Sequence, residues 1–276
     1  MLTRVISALV ALPVVLFLLH QGGWWFGGLL VAAGAVCLYE FMTMTQGGDR
    51  VAVVAMTGLG FLVMLAILTG VAAGPAAPGL IAVVPLGVLL FYVFRTGDMA
   101  TVASRAGLAG TGILWAGGLL GVTGALRSLP QGEGWLYLAL VLAWGSDTGG
   151  YFAGRFFGKH KLYEKVSPKK TWEGSVGGVI AATALAFGFR AVVGPDVETV
   201  HLLIMAPLGA ALGQIGDLTE SMLKRSVGVK DSGSIMPGHG GLFDRVDALI
   251  FVGPTLFIYA TVVLKLPVTW LTLFPG

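Results

Sequence analysis

The chain has 276 residues, of which 56% are hydrophobic and 11% are charged, whereas about 25% of the residues in an ordinary soluble domain are charged. With a mean hydropathy of +0.87, the apolar side chains cannot all be buried in one aqueous core. This excludes a soluble globular protein and indicates a polytopic membrane protein. The single cysteine, Cys37, excludes an intramolecular disulfide and a multi-cysteine metal site.

Nine apolar segments are long enough to cross a hydrocarbon layer about 30 Å thick at a helical rise of about 1.5 Å per residue. We interpret the first as a retained anchor, because no small-residue cleavage site follows it. The sequence therefore predicts an all-α integral membrane protein, a polytopic helix bundle of about nine transmembrane helices. They are expected at residues 5–19, 24–45, 51–72, 76–94, 106–126, 135–153, 174–194, 200–217 and 247–269.

The distribution of lysine and arginine predicts the orientation, because these residues are enriched in cytoplasmic loops. With nine spans and a cytoplasmic N-terminus, fourteen of the seventeen basic residues fall on the cytoplasmic side. Loops 154–173 and 218–246 then face the cytoplasm. We divide the chain into an N-terminal transmembrane scaffold of about five helices, residues 1–126, and a C-terminal catalytic region, residues 127–276.

The charged residues are concentrated in two segments. Residues 147–173 and 214–247 together hold 18 of the 31 charged residues. Solvated loops that only fix the topology would explain the basic residues but not the acidic ones. Acids and bases together beside a membrane are typical of a site that handles phosphate and a metal ion.

Four aspartates are candidate metal ligands. An unpaired carboxylate within the bilayer costs about 2.5–3.5 kcal/mol, so Asp147 is expected to be functional or paired with a basic residue that holds helices together. Asp217 ends an apolar run, near the headgroup level. Asp244 and Asp247 have the i, i+3 spacing of one helical face, where they are either ligands or interfacial helix caps. Oxygen ligands favour Mg²⁺, with a second cation as an option.

Basic residues flank both acidic sets. Lys169 and Lys170 follow Ser167-Pro168, a predicted helix start whose backbone N–H groups and ammonium groups would converge on a phosphate. Lys224, Arg225 and Lys230 accompany the second set. Interfacial contact with anionic lipid is the alternative for each of them. His239, among glycines, is a candidate for binding phosphate or for proton transfer, although an isolated loop histidine is more often structural.

The second charged segment closely resembles the signature of phosphatidate cytidylyltransferases, also called CDP-diacylglycerol synthases. The matching residues are Ser221, Lys224-Arg225, Lys230-Asp231, Pro237, His239-Gly240-Gly241, Asp244-Arg245 and Asp247. Ser146-Asp147-Thr148 and Ser167-Pro168-Lys169-Lys170-Thr171 are also similar to that family, so that the resemblance covers the C-terminal half.

The resemblance implies the reaction CTP + phosphatidate → CDP-diacylglycerol + diphosphate, with Mg²⁺ as cofactor and a homodimer of all-helical subunits. Within that chemistry our hypothesis assigns catalytic roles to Asp217, Asp244 and Asp247, which would hold one or two cations, with Asp147 as a further candidate ligand. The expected substrate-binding residues are Lys169, Lys170, Ser221, Lys224, Arg225, Lys230, His239 and Arg245. We expect the bacterial cytoplasmic (inner) membrane, a cytoplasmic active site, contact with membrane lipid and no nucleic-acid partner.

Two other functions remain open on the sequence. A transporter or channel would spread polar residues along a path through both halves of the bilayer, but the outer halves of these spans are nearly uncharged. A polyprenol or phytol kinase that uses CTP would share the substrate but would transfer the γ-phosphate.

Overall fold

The computed structural model describes residues 2–72, 77–236 and 240–270. Most of the described chain is helical, and the connections are short. The helices are α1 (Leu2–Gln21), α2 (Gly23–Thr45), α3 (Arg50–Leu68), α4 (Ala77–Phe94), α5 (Met99–Gly112), α6 (Leu120–Ala125), α7 (Gly132–Phe157), α8 (Trp172–Arg190), α9 (Thr199–Ser226), α10 (Phe243–Val246) and α11 (Leu249–Ile258). A π-helical segment, Ile113–Leu119, joins α5 to α6, a 3₁₀ turn follows at Leu126–Ser128, and a second π-helical segment, Tyr259–Val263, continues α11.

Six helices within the described ranges are long and apolar enough to cross a membrane: Gly23–Thr45, Arg50–Leu68, Ala77–Phe94, Met99–Ser128, Trp172–Arg190 and Thr199–Ser226. This confirms a helical, polytopic membrane protein. The other three predicted spans coincide in position with α1, α7 and the apolar helix Leu249–Val263. The count of nine and the cytoplasmic N-terminus stay predictions.

The loop between α7 and α8 contains a β-hairpin. Strands β1 (Lys161–Tyr163) and β2 (Ser167–Thr171) pair antiparallel, with Lys161 opposite Thr171 and Tyr163 opposite Ser167. The helix start predicted at Ser167-Pro168 is therefore wrong, because proline biases the residue before it towards extended backbone. Helix α8 begins at Trp172 instead, and the Thr171 side chain caps it by accepting a hydrogen bond of 3.1 Å from the backbone N–H of Gly174.

Asp244 and Asp247 do not share one helix. Helix α10 ends at Val246, and Asp247 lies in the turn before α11. Its Oδ1 atom accepts a hydrogen bond of 2.8 Å from the Ala248 N–H. The prediction of one helical face for the two carboxylates is therefore wrong, because the chain turns between them.

Two compact units make up the described chain. The first contains residues 2–72, 77–122, 231–236 and 240–244 together with Trp270, and the second contains residues 123–230 and 245–269. The division expected from the sequence, into a scaffold of residues 1–126 and a catalytic region of residues 127–276, stays a prediction. The structure adds the segment Asp231–Asp244 to the N-terminal unit.

The first unit is built around α2 and α3, whose facing side chains are buried. Phe41, Trp115 and Phe243 form an aromatic cluster with edge-to-face ring contacts at 5.7–5.9 Å. Before α3, Asp49 accepts backbone hydrogen bonds at the helix start and pairs with Arg95 at 3.0 Å. The hydrogen bond from Arg95 lowers the pKa of Asp49 below its ordinary value.

The second unit consists of α7, α8, α9 and α11 with the hairpin. Helices α7 and α8 approach closely at Gly178, where a Cβ atom would lie 2.6 Å from the carbonyl oxygen of Ser146. Small residues at such crossings let helices in membranes pack backbone to backbone. This close packing places the end of the hairpin beside α7.

Candidate active site

The second unit contains an open cavity of about 420 Å³. Helices α7, α8 and α9 and the hairpin all contribute residues to its wall. Four residues predicted from the sequence line it together: Asp147, Lys169, Lys170 and Asp217. The cavity therefore joins the first charged segment to the beginning of the second.

The four predicted charged residues of the cavity come from three different elements. Asp147 lies on α7, ten residues before its end at Phe157. Lys169 and Lys170 lie on β2, directly before the Thr171 cap of α8. Asp217 lies on α9. Because the hairpin ends at the start of α8, its two lysines lie close to α7 and α9, the helices that contain the aspartates.

Lys170 and Asp217 form an ion pair in the cavity. Their side chains are 29% and 24% exposed, so the pair is only partly screened by solvent. The Ser221 hydroxyl, one turn further along α9, donates to Asp217 Oδ1 at 3.4 Å. Sequence reasoning had placed these three residues in the site, and the structure brings them into contact.

Three carboxylates of the second unit interact unfavourably with one another. Asp217 repels both Asp147 and Asp247, and Asp147 also repels Asp247. The positive charges of Lys170 and Arg245 attract Asp147 and partly offset this repulsion. A bound cation would relieve it further.

A polar network holds the three helices around the cavity. The Gln214 Nε2 group donates to Ser146 Oγ at 2.8 Å and to the Ser175 carbonyl at 3.0 Å. The Ser175 hydroxyl donates in return to Gln214 Oε1. Gln214 thus joins α7, α8 and α9, and sequence reasoning missed it, because a single glutamine in a helix has no distinctive pattern.

The donor set fits Mg²⁺ bound together with substrate phosphates. Among the residues that the structure describes, no group of three or more His, Cys, Asp or Glu side chains is placed to hold one ion. Mg²⁺ in phosphate-handling sites is usually bound by one or two carboxylates, with waters and substrate oxygens completing the coordination. Asp147 and Asp217 line one cavity and match that requirement. The larger set of four aspartates stays a prediction.

The other predicted substrate-binding residues of the second unit lie outside the cavity lining. The Lys224 ammonium group is 2.8 Å from Glu220 Oε2, in a buried pair. The Arg225 guanidinium donates to the Val229 carbonyl at 3.1 Å. Lys230 and Arg245 are exposed. The i, i+4 spacing of Glu220 and Lys224 is a signal from which their pairing could have been predicted.

Asp244, another predicted metal ligand, belongs to the first unit. Asp244 is buried, and its Oδ2 atom accepts hydrogen bonds from the backbone N–H groups of Ser232 at 2.9 Å and Gly241 at 2.8 Å. His239 lies outside the described residues. Sequence reasoning missed Glu40, a buried acid on α2 that contacts the same segment. The sequence does contain an indication of Glu40, because it is a single carboxylate in an apolar helix of 23 residues. Such a carboxylate is a candidate functional residue in a membrane protein.

Comparison with known sequences assigns the chain to a family. The sequence pattern of the family described as the cytidylyltransferase family matches residues 2–263. The chain belongs to this cytidylyltransferase family. The resemblance based on the signature residues is confirmed, and it extends over nearly the whole chain rather than over the C-terminal half alone.

Individual relatives of this chain agree in name. The phosphatidate cytidylyltransferase of Bacillus subtilis (strain 168) is 34% identical over 261 residues, which cover 92% of this chain and 95% of the relative. That of Pseudomonas aeruginosa is 35% identical over 266 residues, covering 89% and 92%. That of Brucella suis biovar 1 is 31% identical over 270 residues, covering 94% and 93%.

Proposed function

We propose that this protein transfers the cytidylyl group of CTP to phosphatidate and so produces CDP-diacylglycerol and diphosphate for phospholipid biosynthesis. The observation that carries the proposal is the cavity that Asp147, Asp217, Lys169 and Lys170 line together. Membership of the cytidylyltransferase family and the names of the full-length relatives support the choice of nucleotide and lipid.

The reaction requires alignment and charge neutralisation. A phosphate oxygen of phosphatidate attacks the α-phosphorus of CTP, the bond from that phosphorus to the bridging oxygen of the β-phosphate breaks, and diphosphate leaves with the electron pair. Catalysis of such a transfer depends on positioning and electrostatic stabilisation more than on a covalent nucleophile. Lys169 and Lys170 supply positive charge for the phosphates, and the aspartates supply the ligands for a cation.

We propose Mg²⁺ as the cofactor. Asp147 and Asp217 would hold it, and the bound ion would neutralise charge on the triphosphate and its leaving group. The ion pair with Lys170 holds the Asp217 carboxylate in the cavity. Metal-binding and catalytic roles for Asp244 and Asp247, and substrate contacts of the remaining basic residues, stay predictions from the sequence.

A membrane site suits a reaction between one soluble and one lipid substrate. Phosphatidate keeps its acyl chains in lipid and presents its phosphate at the headgroup level, while CTP arrives from the aqueous side. The asymmetry of lysine and arginine supports a cytoplasmic active site and nine spans. The bacterial relatives support the cytoplasmic membrane of a bacterium. The homodimer implied by the family resemblance is part of this proposal and can be tested by the mass of the detergent-solubilised protein.

The test is an assay of the purified protein in mixed micelles with phosphatidate, Mg²⁺ and CTP that is labelled separately in the cytosine and in the γ-phosphate. We expect cytosine label in the lipid fraction and γ-label in diphosphate. Transfer of the γ-label to lipid would replace the proposal with a lipid kinase. Absence of both labels from lipid would reject it.

The orientation has its own test. His160 is exposed directly before β1, whereas the native Cys37 is buried. We expect the variant His160→Cys to react with a membrane-impermeant maleimide only when the cytoplasmic face is accessible. Labelling from the outside would overturn the predicted topology.

A further inference from the structure

Glu40 is an acid without an assigned role in a part of the chain that looked like scaffold. It lies on α2, five residues before the helix ends at Thr45, and is 3% exposed. Most of its neighbours on α2 are apolar. A buried carboxylate in such a helix is costly unless hydrogen bonds compensate for the lost hydration.

The compensation comes from the segment Asp231–Asp244, which we call the signature loop. Glu40 Oε1 accepts a hydrogen bond of 3.1 Å from the Leu242 N–H, and Oε2 accepts one of 2.9 Å from the Phe243 N–H. The Ser232 hydroxyl also donates to Oε2, at 3.2 Å. One side chain of α2 therefore holds both ends of the loop.

The loop is shaped to receive this carboxylate. At Gly241 a Cβ atom would lie 2.5 Å from Glu40 Oε2 and 2.7 Å from the Gly233 N–H nitrogen. Phe243 anchors the same end of the loop, because its fully buried ring contacts Phe41, the residue that follows Glu40 on α2.

The contacts of Glu40 are linked to those of Asp244. Ser232 donates its hydroxyl to Glu40, accepts a hydrogen bond of 3.3 Å from the Asp244 N–H, and donates its own N–H to Asp244 Oδ2. Loss of the Glu40 carboxylate would therefore leave buried backbone N–H groups unsatisfied and would disturb the position of Asp244.

We infer that Glu40 is a positioning residue for the transferase reaction, which it serves by fixing the signature loop on α2. The inference rests on the proposed function, because the loop carries residues of the cytidylyltransferase signature. The N-terminal helices then do more than span the membrane: they provide the surface on which this part of the signature is held.

The test is the isosteric substitution Glu40→Gln in the full-length protein. The carboxylate accepts backbone bonds on both oxygens, but an amide has one oxygen, so its NH₂ group must face a backbone N–H. We expect kcat with CTP and phosphatidate to fall roughly 10²-fold, as a small misplacement far from the chemistry can cause. Hydrogen exchange of the Leu242 and Phe243 amides should become faster.

Gln46→Leu is the matched control. Gln46 is also buried, follows α2 directly, and hydrogen-bonds Thr45, Tyr92 and the Arg105 carbonyl rather than the signature loop. We expect this variant to lower the thermal midpoint but to leave kcat and the exchange of the loop amides unchanged. If Glu40 only stabilised the fold, the two variants would behave alike.

A second variant, Ser232→Ala, tests the inference if Glu40→Gln does not insert into the membrane or does not fold. Ser232→Ala removes one of the three hydrogen bonds to Glu40 and should reduce kcat about tenfold, with partial loss of amide protection. Wild-type kcat in Glu40→Gln, or a loss of kcat with unchanged protection at Leu242 and Phe243, would overturn the inference, as would wild-type kcat in Ser232→Ala. An inactive wild-type protein would instead reject the proposed function, and the exchange measurement would still test the loop contact.

Discussion

Acidic residues have different surroundings in the two units of this protein. In the cavity of the second unit, Asp217 is 24% exposed and faces the ammonium group of Lys170. In the first unit, Glu40 and Asp244 are 3% and 9% exposed and accept hydrogen bonds from backbone N–H groups. A partly exposed acid such as Asp217 can exchange its ion-pair partner for a ligand. Buried acids such as Glu40 and Asp244 instead fix the backbone segments whose N–H groups they bind. Under the proposed function, the partly exposed acids would bind the metal ion and its substrates, and the buried acids would position other parts of the site.

We expect the largest loss of turnover from a substitution in the cavity of the second unit. Asp217→Asn removes a proposed metal ligand and leaves Lys170 without the charge that it neutralises. We expect kcat to fall roughly 10³-fold, or about 4 kcal/mol of transition-state stabilisation, as measured by cytidine transfer to lipid. Asp98→Asn, which alters only an exposed helix cap of α5, should retain wild-type kcat. Normal turnover of Asp217→Asn would remove this carboxylate from the site.

Asp244→Asn tests whether this buried acid only holds the signature loop or also binds a metal ion. The amide oxygen can still accept the two bonds that Oδ2 accepts from Ser232 and Gly241, so the signature loop should keep its amide protection and the protein should still insert into the membrane. If the charge of Asp244 holds a metal ion, turnover should fall roughly 10²-fold. Wild-type turnover would leave Asp244 a purely structural acid, and faster exchange of the loop amides would assign the loss to the loop.

Packing around the cavity should matter less for chemistry than for stability. A Cβ atom at position 178 would lie 2.6 Å from the Ser146 carbonyl and 2.9 Å from Gln214 Nε2, so Gly178→Ala should lower the free energy of unfolding by about 1–3 kcal/mol. Gly188→Ala is the matched control on the same helix, because no atom lies within 4 Å of its added methyl group. Equal thermal midpoints in detergent would contradict the close approach of α7 and α8.

The smallest effect concerns the cap of α8. Thr171→Ala leaves the Gly174 N–H without its side-chain acceptor and should cost about 1 kcal/mol of stability. Thr171→Ser keeps the hydroxyl and should behave like the wild type in thermal unfolding. If the two variants have the same midpoint, the threonine does not act as a cap.

Much of the architecture could be predicted from local patterns. The span expected at residues 24–45 is helix Gly23–Thr45, and the one expected at 76–94 is Ala77–Phe94. Such agreement arises because the length of an apolar segment is a local property that the thickness of the bilayer constrains. The grouping of Asp147, Lys169, Lys170 and Asp217 was also predicted, since charges in lipid-facing sequence are rare enough to indicate a site.

What was missed depends on contacts between separate segments of the chain, some close in sequence and others far apart. The strand at Ser167–Thr171 forms by pairing with Lys161–Tyr163, although its proline suggested a helix start. Glu40 acquires its partners about 200 residues further along, at Leu242 and Phe243. Gln214 joins α7 and α8 through Ser146 and Ser175. No spacing within any one segment indicates these contacts.

The sequence by itself determined that this is a helical membrane protein of the cytidylyltransferase family, because hydropathy and motif spacing can be read along the chain. Only the tertiary structure decided which acids face a cavity and which are buried against backbone N–H groups. Burial and partner identity set the chemistry of a carboxylate, and both depend on which distant segments the fold brings together.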